Sequence, residues 1–368
     1  MDIEKPETGS ESATAVIALT RHAVELALRL HIELPRSVCF VPVRHRFALG
    51  MGALGFERLG SLLPEIWPRY SAFVFVMAAG IAVRQIAPLI ENKRSDPAVV
   101  VLDERGRFVV SLLSGHAGGA NELALRVAEV IGAQPVITTA SDVWNKPAMD
   151  LVARNAGLEV ENPEMLARLT RAFLEDEEVW VFDPDGRIRL SLGDYARVRW
   201  ILPDEPGRCI KYLQNSDAPA PGLWVHETFP RLEGFEFLLL RPRNLVVGIG
   251  CNRGTPMEEM RNLLESVFQK YGLSLRSVRN LASVDLKSGE PGMIRLAEYL
   301  ERPIHFYPKE ELRKVCVPTP SRRVAHHIGV ESVCEAAAVL SARNPSLLVL
   351  KQKSPNVTLA VARADYPS

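Results

Sequence analysis

The chain has 368 residues, 47% hydrophobic and 24% charged, a globular composition with material for more than one buried core. Its 44 Lys and Arg balance 44 Asp and Glu, so no global field favours nucleic acid or an anionic membrane, and a polyanionic small molecule has to be met by local basic groups. Five scattered cysteines without a CxxC pair, an acidic start over Met1–Ser12 and no apolar run longer than Phe73–Gly80 argue against a disulfide framework, a signal peptide and a membrane span, and for a cytoplasmic protein.

In chain order, Thr14–Leu19 reads as a strand and Arg21–Leu30 as a helix, followed by strand Val38–Val41 and a helix over Leu54–Trp67. Strand Phe73–Met77 and a helix from Ile81 to Ile90 come next, then strands Val99–Leu102 and Phe108–Ser111 joined by the turn Asp103–Gly106, helix Ala120–Ile131 and strand Pro135–Thr138. Such alternation predicts a parallel sheet with helices on both faces, in an α/β domain over residues 1–140. Residues 141–243 read as a strand-rich α+β middle domain, with strands at Val179–Phe182, Ile188–Leu192, Val198–Leu202, Leu223–Thr228 and Glu236–Leu240. Arg241-Pro-Arg-Asn244 reads as a linker into a second α/β domain over 244–368, with strand Leu245–Ile249, helices Thr255–Lys270, Glu290–Leu300 and Glu331–Ala342, and closing strands Leu347–Leu350 and Val357–Val361.

The most informative stretch is Ser111-Leu-Leu-Ser-Gly-His-Ala-Gly-Gly-Ala-Asn-Glu122. It leaves a strand, places Ser114 and His116 in a turn, and passes through Gly118 and Gly119 into a helix opened by Asn121 and Glu122. Glycines admit a ligand to the backbone, and a helix start favours a carboxylate or oxyanion. His116 has the side chain suited to a general base near neutral pH; a capping turn with a hydrogen-bonded histidine is the plain alternative. Val76–Arg84 repeats the strand, small-residue loop and helix form, with Gly80 for close approach and Arg84 for a carboxylate, or else simply packs helix on strand.

Val247-Gly-Ile-Gly-Cys-Asn-Arg-Gly254 invites a dinucleotide reading, but its spacing is G-x-G-x-x-x-G, and Arg276 and Arg279 stand where an acidic residue belongs. Cys251 beside Arg253 is either an activated thiol or a small buried one. Asp285, Lys287 and Glu290 precede a helix begun by Pro291, and Lys351-Gln-Lys353 adds further cations. His326-His327 has no third ligand at useful spacing, so no metal site is expected.

Four blocks together resemble the amino-terminal half of the CbiG family: Met77–Leu89, Ser95–Asp103, Ser111–Ala124 and Gly132–Asp142. Gly248–Thr255, Ser283–Lys287, Glu290–Gly292, Ser332–Ala337 and Leu350–Lys353 with Asn356-Val-Thr358 resemble its carboxyl-terminal, CobE-like domain. The likeness covers residues 70–368, most weakly in the middle. Ala79, where the resemblance leads one to expect threonine, and Ser354-Pro355 are small departures.

The resemblance implies hydrolysis of cobalt-precorrin-5A in anaerobic cobalamin synthesis. Water opens a ring A δ-lactone, and carbon 20 leaves with its methyl as acetaldehyde to give cobalt-precorrin-5B. The cobalt travels with the substrate, so no protein cofactor is implied; neighbouring pathway enzymes are candidate partners, and nucleic acid and membrane are not. From residue type and position, His116, Ser114 and Glu122 are the catalytic candidates, with His116 as base, Ser114 orienting it or the water, and Gly118 and Gly119 amides receiving the oxyanion. Gly80, Arg84, Asn121, Gly250, Cys251, Arg253, Lys287 and Lys351 join the two glycines as substrate-binding candidates. Two rival functions are a non-catalytic corrinoid carrier, which needs the basic loops but not His116, and an NADP-dependent reductase.

Overall fold

The structure, a computed structural model, describes residues 13–92, 95–116, 118–192, 195, 197–202, 219–231, 234–321 and 329–364. The chain divides into two compact units, residues 1–151 and 152–368. His326 and His327 lie outside the described residues.

In the first unit, β1 (Thr14–Ala18), β2 (Ser37–Pro42), β3 (Leu54–Phe56), β4 (Ala72–Val76), β5 (Ala98–Leu102), β6 (Phe108–Leu113) and β7 (Gln134–Val136) form one sheet in the order β3-β2-β1-β4-β5-β6-β7. The strands β1 to β5 are mutually parallel. The run Ala-Phe-Val-Phe-Val of β4 is buried at every position, as a central strand covered on both faces requires. Phe73, Phe75, Val99 and Val101 pack with Leu62, Leu63, Ile66, Ala82 and Ile86 on one face. Val74, Val76, Val100 and Leu102 meet Val24, Leu28, Ala124 and Val127 on the other. The expected helix over Leu54–Trp67 is in fact two elements, because Leu54–Phe56 pairs with β2 as an edge strand and the helix spans only Leu59–Ile66.

The turn at Asp103–Gly106 reverses the chain. Asp103 Oδ1 accepts the N–H groups of Arg107 and Phe108, both at 2.8 Å, and Gly106 takes a φ of 64°. Consequently β6 runs antiparallel to β5, with β7 parallel to β6. Two strands of this sheet thus end where the other five begin.

The second unit carries two sheets. One holds β8 (Leu158–Val160), β9 (Val179–Phe182), β10 (Val198–Trp200), β11 (Ala220–Val225) and β12 (Phe235–Pro242) in the order β10-β9-β11-β12-β8, parallel except for β8. The expected strand Ile188–Leu192 is a short helix, Arg189–Leu192, because the Asp183 carboxylate gathers the Arg187 and Ile188 N–H groups at 3.0 and 2.9 Å and bends the chain. Arg241-Pro-Arg-Asn244 is not a solvated linker. Arg241 is fully buried at the end of β12, where it ion-pairs with Glu161 and donates to the carbonyls of His226 and Thr228.

The other sheet holds β13 (Leu245–Cys251), β14 (Val278–Val284), β15 (Ile304–Tyr307), β16 (Leu347–Lys353) and β17 (Val357–Arg363) in the order β15-β14-β13-β17-β16. Helices Met257–Tyr271 and Pro291–Leu300 cover one face and Val333–Ala342 the other. Among the described residues no helix is long and apolar enough to cross a membrane.

Candidate functional site

The loop after β6 folds on its own glycines. Ser114 takes a φ of 58°, and a Cβ at Gly118 would overlap Ser114 Cβ and stand 2.8 Å from the Ser114 carbonyl oxygen. A Cβ at Gly115 would stand 2.8 Å from Asn121 Oδ1. The turn closes as Gly119, Ala120 and Asn121 N–H groups donate to the carbonyls of His116, Ser114 and Gly115 at 2.9, 3.1 and 3.0 Å. These donors are engaged within the loop, so the Gly119 amide does not face outward as an oxyanion donor. Gly118 is exposed, and its amide has no acceptor among the described residues.

The loop delivers His116 to the segment following β7. His116 Nε2 lies 2.7 Å from Ser141 Oγ and 3.4 Å from Asp142 Oδ2. Asp142 Oδ2 also accepts Asn121 Nδ2 at 2.9 Å, while Asn121 Nδ2 reaches Thr139 Oγ1 at 3.2 Å and Asn121 Oδ1 accepts Ser111 Oγ at 2.7 Å. Asn121 is buried, so it organises the site from within rather than meeting substrate directly. Ser114 Oγ donates to the Asp96 carbonyl at 3.0 Å, not to His116, so it anchors the loop and does not orient the base. Glu122 is exposed in the first turn of the helix and has no hydrogen bond among the described residues. Thr139, Ser141 and Asp142 carry no motif of their own, and their one signal in the sequence is the polar run Thr138-Thr-Ala-Ser-Asp142 at a strand end.

Gly80 and Arg84 do not join this cluster. Val76 pairs with Leu102, and Leu113 with Val99, so Gly80 follows the carboxyl end of β4 while Ser114–Gly119 lies at the opposite end of the sheet. Arg84 folds back on its own helix, donating to the Gly80 carbonyl at 3.1 Å, and is exposed. Arg44 and His45 lie at the same end as Gly80, both directed to the Leu19 carbonyl at 2.8 and 3.1 Å.

In the second unit the carboxyl ends of β13 and β14 gather several of the expected residues. Gly250 serves packing: it is buried, faces Thr358 in the ladder, and a Cβ there would stand 2.8 Å from Thr358 Oγ1. Cys251 is half-buried, and burial pushes its thiol up to about 11 despite Lys287, which favours the small buried thiol over the activated nucleophile. Lys287 Nζ pairs with Glu290 Oε1 at 2.9 Å, and Glu290 Oε2 accepts Gly254 N–H at 3.0 Å. Arg253 is exposed beside them and has no salt bridge among the described residues. Lys351 donates through Nζ to the Thr319 carbonyl, and its N–H donates to the buried Glu335 at 3.2 Å. Among the described residues no group of three or more His, Cys, Asp or Glu could hold a metal ion.

Two family models match the chain: cobalamin synthesis G N-terminal over residues 61–142 and cobalamin synthesis G C-terminus over 245–362. A cobalt-precorrin-5A hydrolase of Priestia megaterium is 32% identical across 96% of this chain and 95% of that protein. One of Salmonella typhimurium is 34% identical across 98% and 100%. The chain belongs to the cobalamin synthesis G family. A CobE protein of Sinorhizobium is 34% identical to a third of the chain, 79% of that protein being covered. Among solved structures, a cobalamin biosynthesis protein G homolog from Sulfolobus solfataricus covers 96% of this chain and 97% of its own, with 22% identity and a TM-score of 0.37. The N-terminal family segment contains the whole His116–Asp142 cluster, and the C-terminal one contains Cys251, Arg253, Lys287 and Lys351.

Proposed function

We propose that the chain is a cobalt-precorrin-5A hydrolase of cobalamin biosynthesis, opening the substrate's δ-lactone and releasing acetaldehyde. What carries this reading is the full-length likeness to two relatives of that name, 32% and 34% identical. Hydrolysis of the lactone needs a base for water and donors for the tetrahedral oxyanion. His116 supplies the imidazole, and its Nδ1 makes no hydrogen bond among the described residues. In this reading the amide of the exposed Gly118, which has no acceptor among the described residues, receives the oxyanion. Water adds to the lactone acyl carbon and the acyl–oxygen bond breaks, leaving a carboxylate and a hydroxyl on carbon 20. That hydroxyl gives up its proton and becomes the acetaldehyde C=O as the carbon–carbon bond breaks. The electron pair of that bond passes into the conjugated macrocycle of the substrate, which carries its own cobalt and takes up a proton.

The test is acetaldehyde release from cobalt-precorrin-5A by the purified protein, coupled to an alcohol dehydrogenase. We expect release by the wild type, and His116→Ala to lower kcat by roughly 10²–10⁴-fold, the range of general acid–base catalysis, while binding is retained. A wild type that binds the corrinoid but releases no acetaldehyde is a carrier, and the reading fails. Near-normal turnover by His116→Ala removes the base assignment alone.

A further inference from the structure

We propose that Asp142, held in place by Asn121, is the positioning residue that keeps the His116 proton on Nε2 and leaves Nδ1 as the basic nitrogen. The inference deepens the hydrolase reading and rests on it for the catalytic consequence, though not for the tautomer itself.

A neutral imidazole carries one N–H and one lone pair, and its surroundings decide which nitrogen holds which. Here the two ring nitrogens differ sharply. Nε2 faces Ser141 Oγ at 2.7 Å and Asp142 Oδ2 at 3.4 Å, whereas Nδ1 is buried with no hydrogen-bond partner among the described residues. Were the proton on Nδ1, a buried N–H would lack an acceptor, at a cost of about 1–3 kcal/mol, and the Nε2 lone pair, though able to accept the Ser141 hydroxyl at 2.7 Å, would also face the Asp142 carboxylate at 3.4 Å. With the proton on Nε2, the N–H lies between a hydroxyl and an anionic oxygen, and the lone pair is the group left without a partner. Ser141 can serve either tautomer, so the buried Nδ1 and the Asp142 carboxylate decide between them.

The carboxylate is itself steered. Asn121 Nδ2 donates to the Asp142 oxygen that faces His116, at 2.9 Å, and Ser111 Oγ fixes the amide orientation by donating to Asn121 Oδ1 at 2.7 Å. The network runs Ser111, Asn121, Asp142, His116, and Asn121 is buried in the first turn of the helix that the glycine loop feeds. Because Ser141 and Asp142 share Nε2, Ser141 is not the nucleophile of a relay in which a carboxylate holds the far nitrogen. Nδ1 is then the nitrogen that keeps its lone pair, and an imidazole locked in one tautomer needs no shift of its own proton before it accepts another.

The experiment is a long-range proton–nitrogen correlation spectrum of full-length protein labelled with ¹⁵N-histidine, with His116 assigned by its loss in His116→Gln. The expected spectrum has a pyrrole-type Nε2 and a pyridine-type Nδ1; the reverse pattern in the wild type overturns the proposal. In Asp142→Asn the signals should shift toward the Nδ1–H form, and kcat should fall by roughly 10²–10⁴-fold with KM little changed. Asn121→Ala should move both readouts the same way by less. An unchanged tautomer and kcat in folded Asp142→Asn overturns the positioning role. Normal turnover by His116→Ala, with the wild-type tautomer as expected, instead sinks the catalytic reading and leaves the tautomer standing, so the two failures are distinguishable.

Discussion

Ser114 holds a φ of 58°, a left-handed conformation that costs a non-glycine residue of order 1 kcal/mol. The loop sustains it because Gly118 lies against Ser114 with no room for a Cβ. Gly118→Ala should therefore displace the Ser114–His116 turn, lowering the unfolding midpoint by an amount equivalent to about 1–3 kcal/mol and reducing acetaldehyde release; calorimetry and the coupled assay read the two effects separately. Cys251 makes the opposite case. Its thiol, pushed up to about 11 by burial, is neutral near neutral pH, so iodoacetamide at about pH 8 should mark the exposed Cys316 well before Cys251. Cys251→Ala should keep most of the turnover, and a large loss of kcat would mean that the thiol takes part after all. At this scale the sequence singles out His116 as a candidate but does not name its partners. Its partners Ser141 and Asp142 are 25 and 26 residues further on, and only the pairing of β6 with β7 brings them within reach.

Elements with strong local signals were legible. Helix Ala120–Ile131 was predicted with its observed ends, because left-handed glycines flank it and its apolar positions recur at helical spacing. The strand β3 is hidden in the sequence because its three residues open an apolar run that reads as helix, and β14 because Arg279 and Asn280 interrupt its apolar pattern. Asn280 is tolerated there by its bond to Ser341 Oγ at 2.9 Å, a contact 61 residues away that sequence does not announce. Gly248 opens the motif that invites a dinucleotide reading, but in the fold it lets helix Val333–Ala342 lie directly on β13. A Cβ there would collide with the Cys334 carbonyl and stand 2.8 Å from Ala338 N. Gly248→Ala should destabilise the second unit by about 3 kcal/mol or more in denaturant unfolding. Gly289→Ala, in open space, should be close to neutral and serves as the control.

Within the second unit, charge joins what the apolar pattern leaves separate. Glu159 of β8 receives Arg276 at 2.6 Å, Arg302 at 2.8 Å and Arg243 at 3.1 Å, and Arg363 of β17 bridges Asp185 at 2.6 Å and Glu227 at 3.0 Å. Burial opposes ionisation of Glu159, but the bonds from Arg276 and Arg243 and the charge of Arg302 outweigh it and hold the carboxyl below its ordinary value of 4.5. A depressed carboxylate stabilises the fold above its ordinary value, and that contribution is lost as pH falls through the folded one. Glu159→Gln should therefore be less stable than wild type at about pH 7, with the gap narrowing toward about pH 3; a gap that widens on acidification would show that the clamp is not ionic. No composition or periodicity announced this network, since its members are dispersed from Glu159 to Arg363.

The reversal at Asp103–Gly106 reaches beyond strand order. Helix Arg21–Glu33 follows a forward strand and brings its negative pole to the edge where β1 begins, whereas Ala120–Ile131 follows the turned strand β6 and brings its positive pole to that same edge. The two helices therefore present opposite poles to one edge of the sheet, and the His116–Asp142 cluster, tied to Asn121 in the first turn of Ala120–Ile131, lies at the positive one, where an anion is favoured.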